Sequence, residues 1–447
     1  MALNVDREVE WLTTSILPEI LQNGRLVDNY SESQLSTFKV GDIKIAVIGP
    51  EEAFMLTQCY RATVNFEYAG EEQQRKFVVK KTPDVPPEFY DNAQFGDLFH
   101  NEVSFYTEIL PLILKLSNGK FASPKYYHSE IKPNSAWLIL GDFSADGWSV
   151  TKDRYGLSLE HTRIAVKYLG RFHGFGYAMK HNQKDRFEQL TRQFRESRYA
   201  NDVINPEYAL VGKTGLKRVA KATTIYHPEV DKEFIKKFQQ TVWDSVGYGR
   251  QRVAAPKEPL SILCHGDYLR NNVAYKYASD NSGTPLDTMM FDYQTMRLSS
   301  PMIDLSTFLA NSVLADVRHK HFDSIFDDYC TALFESYTKH SDGKLPEFLS
   351  RENLLKEYIR FLPYSLSISA SFLMMLVEPP KLTIAELIAL QKTEDEIIQE
   401  AMSQGGEIVD REIAHQMKEM FDLSRLHNVQ IDEDIDSSKW INSVEFE

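Results

Sequence analysis

Apolar residues in the first segment, Arg7 to Leu21, recur at Val9, Leu12, Ile16, Leu17 and Ile20. That spacing is near 3.6 residues and predicts an amphipathic helix lying on another part of the chain. Between Phe38 and Lys81 the pattern shortens to β-like runs: Ile43 to Ile48, Cys59 to Tyr68, and Phe77 to Lys80. Gly49-Pro50 and Ala69-Gly70 part them, as an antiparallel meander requires. A helix over Asp97 to Leu116 carries Phe99, Val103, Tyr106, Leu110 and Ile113 on one stripe. Next, a strand from Trp137 to Leu140 runs into Gly141-Asp142. Strands, one helix and further strand make an α+β unit that closes near residue 145.

From Ser158 to Ile359 the period is mainly helical, interrupted by short strands at Leu260 to Cys264, Val273 to Tyr277 and Thr288 to Phe291. Phe361 to Val377 is the most apolar long stretch. Pro363 and Ser365, Ser367, Ser369 and Ser371 mark it as a buried helix, since a membrane span needs roughly 20 mostly apolar residues. The end, Val429 to Glu447, reads either as a mobile acidic tail or as a strip docking through Trp440, Ile441 and Phe446. Four parts are expected: a helical extension over 1–34, a first lobe over 35–145, a larger helical lobe over 146–425, and the acidic tail over 426–447.

Composition narrows the classes. The 447 residues are 43% hydrophobic and 26% charged, enough apolar material for a core and too much for wholesale disorder. A net charge of −14 argues against wrapping duplex DNA or coating an anionic membrane, so neither is an expected partner. Cys59, Cys264 and Cys330 are scattered and odd in number, and no basic start precedes an apolar run. A reducing, cytoplasmic location is the expectation.

The sharpest chemical signal is His265-Gly266-Asp267, followed five residues later by Asn272, between the apolar runs Leu260 to Cys264 and Val273 to Tyr275. Asp267 and Asn272 thus fall on a loop held at both ends. A second acid, Asp292, ends the strand Met289 to Phe291. Further on, Pro301 opens a helix with Asp304 in its first turn. A strand-end carboxylate and a nearby amide are what Mg²⁺ asks for when phosphates and water complete its shell. Asp267 would then orient a hydroxyl for in-line attack. Turn formation is the alternative for Asp267 and Asn272. Asp304 fits an ordinary first-turn acid or a loop brace equally well. His265 reads as structural, and His173 as a packed histidine at a helix end.

This set resembles the catalytic and metal-binding segments of protein-kinase-like small-molecule phosphotransferases, the group with choline and aminoglycoside kinases. The finer pattern is similar to the ecdysteroid-kinase-like family. It runs through Phe77-Val78-Val79-Lys80, Asn101-Glu102 to Leu110-Pro111, Leu169 to Gly174, His265 to Tyr268, Phe291 to Gln294, Ser300-Pro301 and Asp304-Leu305. The resemblance implies a two-lobed α+β fold, a small antiparallel-sheet lobe with one key helix before a larger helical lobe. It implies an ATP- and Mg²⁺-dependent kinase in which Lys80 touches the ATP phosphates and pairs with Glu102. Asp267 would be the catalytic acid/base, Asn272 and Asp292 the Mg²⁺ ligands, and His265 and Asp304 the supports of the loop. Thr57, at the end of a glycine-poor stretch holding Glu51 and Glu52, and Asp142, in the connector between lobes, would complete the nucleotide contacts.

Strand parity alone leaves Lys80 and Lys81 undecided, and a glutamate at the edge of a helix stripe, as Glu102 is, also occurs as a surface residue. The aromatics Phe187, Phe194, Tyr199, Tyr208, Tyr226, Trp243, Tyr248, Phe361, Tyr364 and Phe372 suit either a cleft for a flat, apolar alcohol or ordinary core. The implied acceptor is an ecdysteroid-like steroid or a xenobiotic alcohol. The alternatives are a choline-type kinase and an inactive kinase-like protein that binds a hydrophobic ligand.

Overall fold

Alternation along the early strands builds one twisted sheet with two differently occupied faces. The computed structural model describes residues 3–49, 57–200, 206–279, 283–379, 381 and 390–441. The strands β1 (Lys39–Val47), β2 (Gln58–Tyr68), β3 (Glu71–Lys81), β4 (Tyr126–Lys132) and β5 (Ser135–Gly141) form an antiparallel sheet in the order β1-β2-β3-β5-β4. The β2–β3 hairpin turns at Ala69 and Gly70, both at positive φ, so β3 begins six residues before the apolar run that announces it. Those extra residues are polar and face solvent at the hairpin tip, and period-2 patterning is silent there.

Tyr60, Ala62, Val64, Phe77, Val79 and Ile139, all fully buried, line one face of the sheet. Against them lie α1 (Val5–Trp11), a π-helical turn and α2 (Leu17–Gln22), bringing Leu12, Ile16, Ile20 and Leu21. The amphipathic N-terminal helix is therefore the lid on the back of the sheet. The opposite face packs on α4 (Phe95–Ser104), which continues through a π-helical turn into α5 (Leu110–Leu116). A six-residue helix, α3 (Pro87–Asn92), precedes it.

The second part is mainly helical. Its centre is the crossing of α6 (Leu159–Asn182) and α12 (Ala315–His340), made close by glycine. A Cβ on Gly170 would stand 2.4 Å from the Tyr329 carbonyl oxygen, and one on Gly174 would stand 2.6 Å from that of Leu333. Short strands sit on this base: β7 (Ile262–Cys264) pairs with β10 (Arg297–Ser299), and β6 (Trp148–Ser149), β8 (Val273–Tyr277) and β9 (Pro285–Met290) form a second antiparallel set. The helix α11 (Met302–Ser312), buried along its whole length, packs on α13 (Arg351–Val377). That 27-residue helix is long and apolar enough to cross a membrane, but 67% of its most apolar window is buried inside the protein, as expected of a core helix.

Residues 429–440 of the acidic end dock through Val429, Ile431 and Trp440. Trp440 is buried and donates from Nε1 to the Gln240 carbonyl at 2.8 Å, and Lys257 meets Asp434 at 2.6 Å. Phe446 lies outside the described residues.

Candidate active site

Lys80 and Lys81 point to opposite faces of β3, and the fold separates their duties. Lys81 turns to the back of the sheet, where it binds Glu8 at 2.8 Å and lies over the Trp11 ring at 4.3 Å. Lys80 turns to the α4 side, between Cys59 of β2 and Leu138 of β5. Its Nζ lies 2.6 Å from Glu102 Oε2, 2.5 Å from Asp292 Oδ1 and 3.1 Å from Gln294 Oε1. Burial opposes charge on Lys80, but the carboxylates of Asp292 and Glu102 outweigh it and hold its pKa above the ordinary lysine value. Burial raises Glu102 against the pull of Lys80. It also pushes the adjacent Cys59 thiol up to about 11, which keeps a neutral group beside the pair.

Asp292 lies two residues beyond β9, at φ +67°, a left-handed conformation uncommon for non-glycine residues but more open to Asp than to most. The preceding residue ties it to the His265 loop. Phe291 donates its N–H to the Asn272 carbonyl at 3.0 Å and its carbonyl faces His265 Nε2 at 3.0 Å. His265 Nδ1 accepts from the Asp267 N–H at 3.3 Å, so the ring carries its proton on Nε2. Asn272 Nδ2 donates to the Asp267 carbonyl at 2.8 Å and to Asp267 Oδ2 at 3.2 Å. Asp267 and Asn272 thus bond directly, and Asp292, 20 residues further on, is tied to them through the backbone of Phe291.

Asp304 holds this loop from beneath. Only 1% exposed, it accepts the His265 N–H on Oδ2 at 2.7 Å and the Gly266 N–H on Oδ1 at 2.8 Å. It lies in the first turn of α11 and also binds the loop, so its position agrees with both readings open to it. Gly266 itself sits at φ +80°, with the Thr295 carbonyl oxygen 2.2 Å from where a Cβ would stand, so no other residue fits. His173 also binds Asp304, Nε2 to Oδ2 at 3.2 Å, while its Nδ1 meets the Tyr329 hydroxyl at 2.8 Å. This corrects the helix-end expectation: His173 is in the interior of α6, because Gly170 and Gly174 serve a close crossing and do not terminate the helix.

Asp142 begins the connector after β5. Its carboxylate caps the Ser144 N–H at 3.0 Å and lies 3.7 Å from Arg61 Nε. Phe143, next along, packs on Phe291 with ring centroids 5.1 Å apart. Thr57 is buried at the start of β2, its hydroxyl 3.6 Å from the Cys59 sulfur. Residues 50–56 of the glycine-poor stretch lie outside the described residues. Of the ten aromatics weighed for an acceptor cleft, Phe187, Tyr199, Tyr248, Phe361 and Tyr364 are buried, Phe194, Tyr226, Trp243 and Phe372 are partly buried against the core, and Tyr208 is exposed.

Sequence reasoning passed over three participants. Gln294, quoted within a motif but given no role, completes the Lys80 cage. Asn101, fully buried beside Glu102, bonds the Gln294 carbonyl at 3.3 Å. Arg198 meets Asp267 Oδ1 at 3.5 Å; it lies in irregular chain with no periodicity to announce it.

A sheet lobe thus presents a lysine to a helix glutamate, and a helical lobe presents an Asp loop and a second Asp, the two-lobed arrangement expected from the sequence. The chain belongs to the ecdysteroid kinase-like family, whose model matches residues 51–341. None of the curated proteins matches it. Solved structures that it resembles include an AMP-bound spectinomycin phosphotransferase, at 13% identity over 79% of this chain and 90% of that one with a TM-score of 0.36. Another is an aminoglycoside-3'-phosphotransferase of type VIII, at 14% identity over 76% and 98% with a TM-score of 0.24.

Proposed function

We propose that the protein transfers the terminal phosphoryl group of ATP to a hydroxyl of a largely apolar small molecule, an ecdysteroid-like steroid or a xenobiotic alcohol. The observation that carries this reading is the joining of Lys80, Glu102 and Asp292 in one cage, while Asp267 and Asn272 are bonded to each other and to the strand end before Asp292. In this reading Lys80 binds the ATP phosphates and Glu102 keeps its ammonium aimed at them. Asp267 accepts the proton of the acceptor hydroxyl, and the Asp304 brace keeps that carboxylate still. Thr57 closes the phosphate end of the cleft. The connector after Asp142 borders the base through its backbone and Phe143, because the Asp142 carboxylate is already engaged with Ser144 and Arg61.

Asn272 and Asp292 offer amide and carboxylate oxygens only, which fits Mg²⁺ and not a softer metal. The Asn272 nitrogen is committed to Asp267, and its oxygen, which accepts from Asn271 Nδ2 at 3.3 Å, keeps a second lone pair for an ion. Bound there, the ion would neutralise charge on the phosphates.

Asp267→Asn should preserve folding and nucleotide binding and lower turnover by about 10²–10⁴-fold, the usual range for a general base. Wild-type turnover by that variant sinks the assignment. The alternatives are separated by thermal shift. Stabilisation by ATP that disappears with EDTA supports the kinase, whereas stabilisation by a steroid without nucleotide supports a silent binding protein. Phosphorylation of choline in preference to steroid alcohols would favour the choline-type reading.

A further inference from the structure

Residues 193–199, between α7 (Lys184–Thr191) and α8 (Pro206–Tyr226), cross from the helical lobe to α4 and form a strap fixed at both ends. On the α4 side, Asn101 accepts the Arg195 N–H at 2.8 Å and donates to the Arg195 carbonyl at 2.8 Å. His100 Nε2 meets the Gln193 carbonyl at 3.0 Å, and Arg195 Nη1 meets Asp97 at 2.7 Å. At the other end Glu196 pairs with the buried Arg297 of β10 at 3.1 Å, and its second oxygen accepts the N–H groups of Arg198 at 2.8 Å and Tyr199 at 3.0 Å.

This anchoring delivers one side chain to the base. Arg198 Nη2 lies 3.5 Å from Asp267 Oδ1, and Nη1 donates to the Tyr364 hydroxyl at 3.0 Å. Tyr364 also receives the Tyr199 hydroxyl at 3.2 Å. The Arg198 side chain is one-third exposed, so it borders the cleft. A guanidinium has five N–H donors, and these contacts use two.

Arg198 is not needed to orient Asp267, which Asn272 already bonds twice and Asp304 steadies through the loop. Its own contact with Asp267 is the longest in the network, the form expected of a cation that yields to an incoming anion. Lys80 supplies positive charge at the donor end of the cleft, held by two carboxylates. Arg198 supplies it where the acceptor oxygen must sit, beside Asp267. The phosphoryl group in flight spreads charge over three equatorial oxygens, and a preplaced fork of donors beside the attacking oxygen stabilises that distribution.

We propose, on the strength of the kinase reading, that Arg198 is a catalytic residue that binds the transferring phosphoryl group from the acceptor side. The probe is Mg²⁺·ADP with and without aluminium fluoride, which mimics the group in transfer and needs no identified acceptor. Wild-type protein should bind Mg²⁺·ADP and gain affinity when fluoride completes the mimic. Arg198→Ala should hold Mg²⁺·ADP within about twofold and lose about 10²-fold or more for the fluoride complex, as when one transition-state donor is removed. Added guanidinium ion should restore part of that loss.

Arg198→Lys keeps charge and length if the alanine variant fails to fold, and should lose about tenfold because it lacks the fork. Equal fluoride-complex affinity in wild type and the Arg198 variants overturns the proposal, as does a wild type that gains nothing from fluoride. A wild type that fails to bind Mg²⁺·ADP at all overturns the kinase reading itself.

Discussion

Asp304→Asn exchanges one carboxylate oxygen for an NH₂ group and tests whether the loop under Asp267 is held as described. The native carboxylate accepts two backbone N–H groups, one on each oxygen, and a histidine on one of them. An asparagine of the same shape accepts on one side only. With its oxygen kept toward His265 and His173, its NH₂ faces the Gly266 N–H, donor against donor. Turned the other way, it loses two partners. Even in the better orientation, one charge-assisted bond is lost, at about 1.5–3 kcal/mol, and a buried N–H is left without an acceptor, at about 1–3 kcal/mol. Because the two figures overlap in what they count, a net destabilisation of about 2–4 kcal/mol is expected. Urea denaturation followed by tryptophan fluorescence reads it as an earlier midpoint. A turnover assay should show a loss larger than stability explains, since Asp267 rides on the loosened loop. An Asp304→Asn protein within about 0.5 kcal/mol of wild type, the ordinary range for an inconsequential surface change, refutes the brace.

Lys80→Ala should abolish stabilisation by Mg²⁺·ATP in a thermal-shift titration, whereas Lys81→Ala should lower the melting temperature and leave nucleotide stabilisation intact; equal behaviour of the two removes the distinction between sheet faces. A pH effect follows from the buried cluster of Arg318, Glu412 and Glu419. Burial works to raise Glu419, but Arg318 at 2.7 Å, helped by His319, brings it down to about 2. A depressed carboxylate stabilises the fold fully above its unfolded value and loses that contribution as pH falls through the folded one. Stability should therefore decline from near pH 4.5 toward pH 2, by roughly 3 kcal/mol from this group. Glu419→Gln, measured by the same denaturation series, should flatten that decline; an unchanged slope contradicts it.

Much of this arrangement is legible in the sequence, for reasons that differ by residue. Asp267, Asn272 and Asp292 stand at strand ends bounded by apolar runs, so local pattern puts each outside a strand, and the resemblance joins them in one site. The choice between Lys80 and Lys81 was hidden, because it depends on which face the N-terminal helix covers. That is a contact between residues 8 and 81, not a property of the strand. The polar half of β3 and the three-residue β10 carry too few apolar positions to show a period. His173 was misplaced because a glycine-flanked histidine looks like a helix end, while here the glycines admit a second helix. Arg198 belongs to irregular chain, whose side chains acquire roles only from what the fold brings near.

The helix covering the back of the sheet bears on how the protein can be shortened. The family match begins at residue 51, and a fragment cut there would discard Leu12, Ile16, Ile20 and Leu21 along with Glu8 and Trp11. Tyr60, Val64, Phe77 and Val79 would then meet water as one continuous greasy wall, directly behind the strand that carries Lys80. Such a fragment should self-associate, and the cage around Lys80 should soften from the rear.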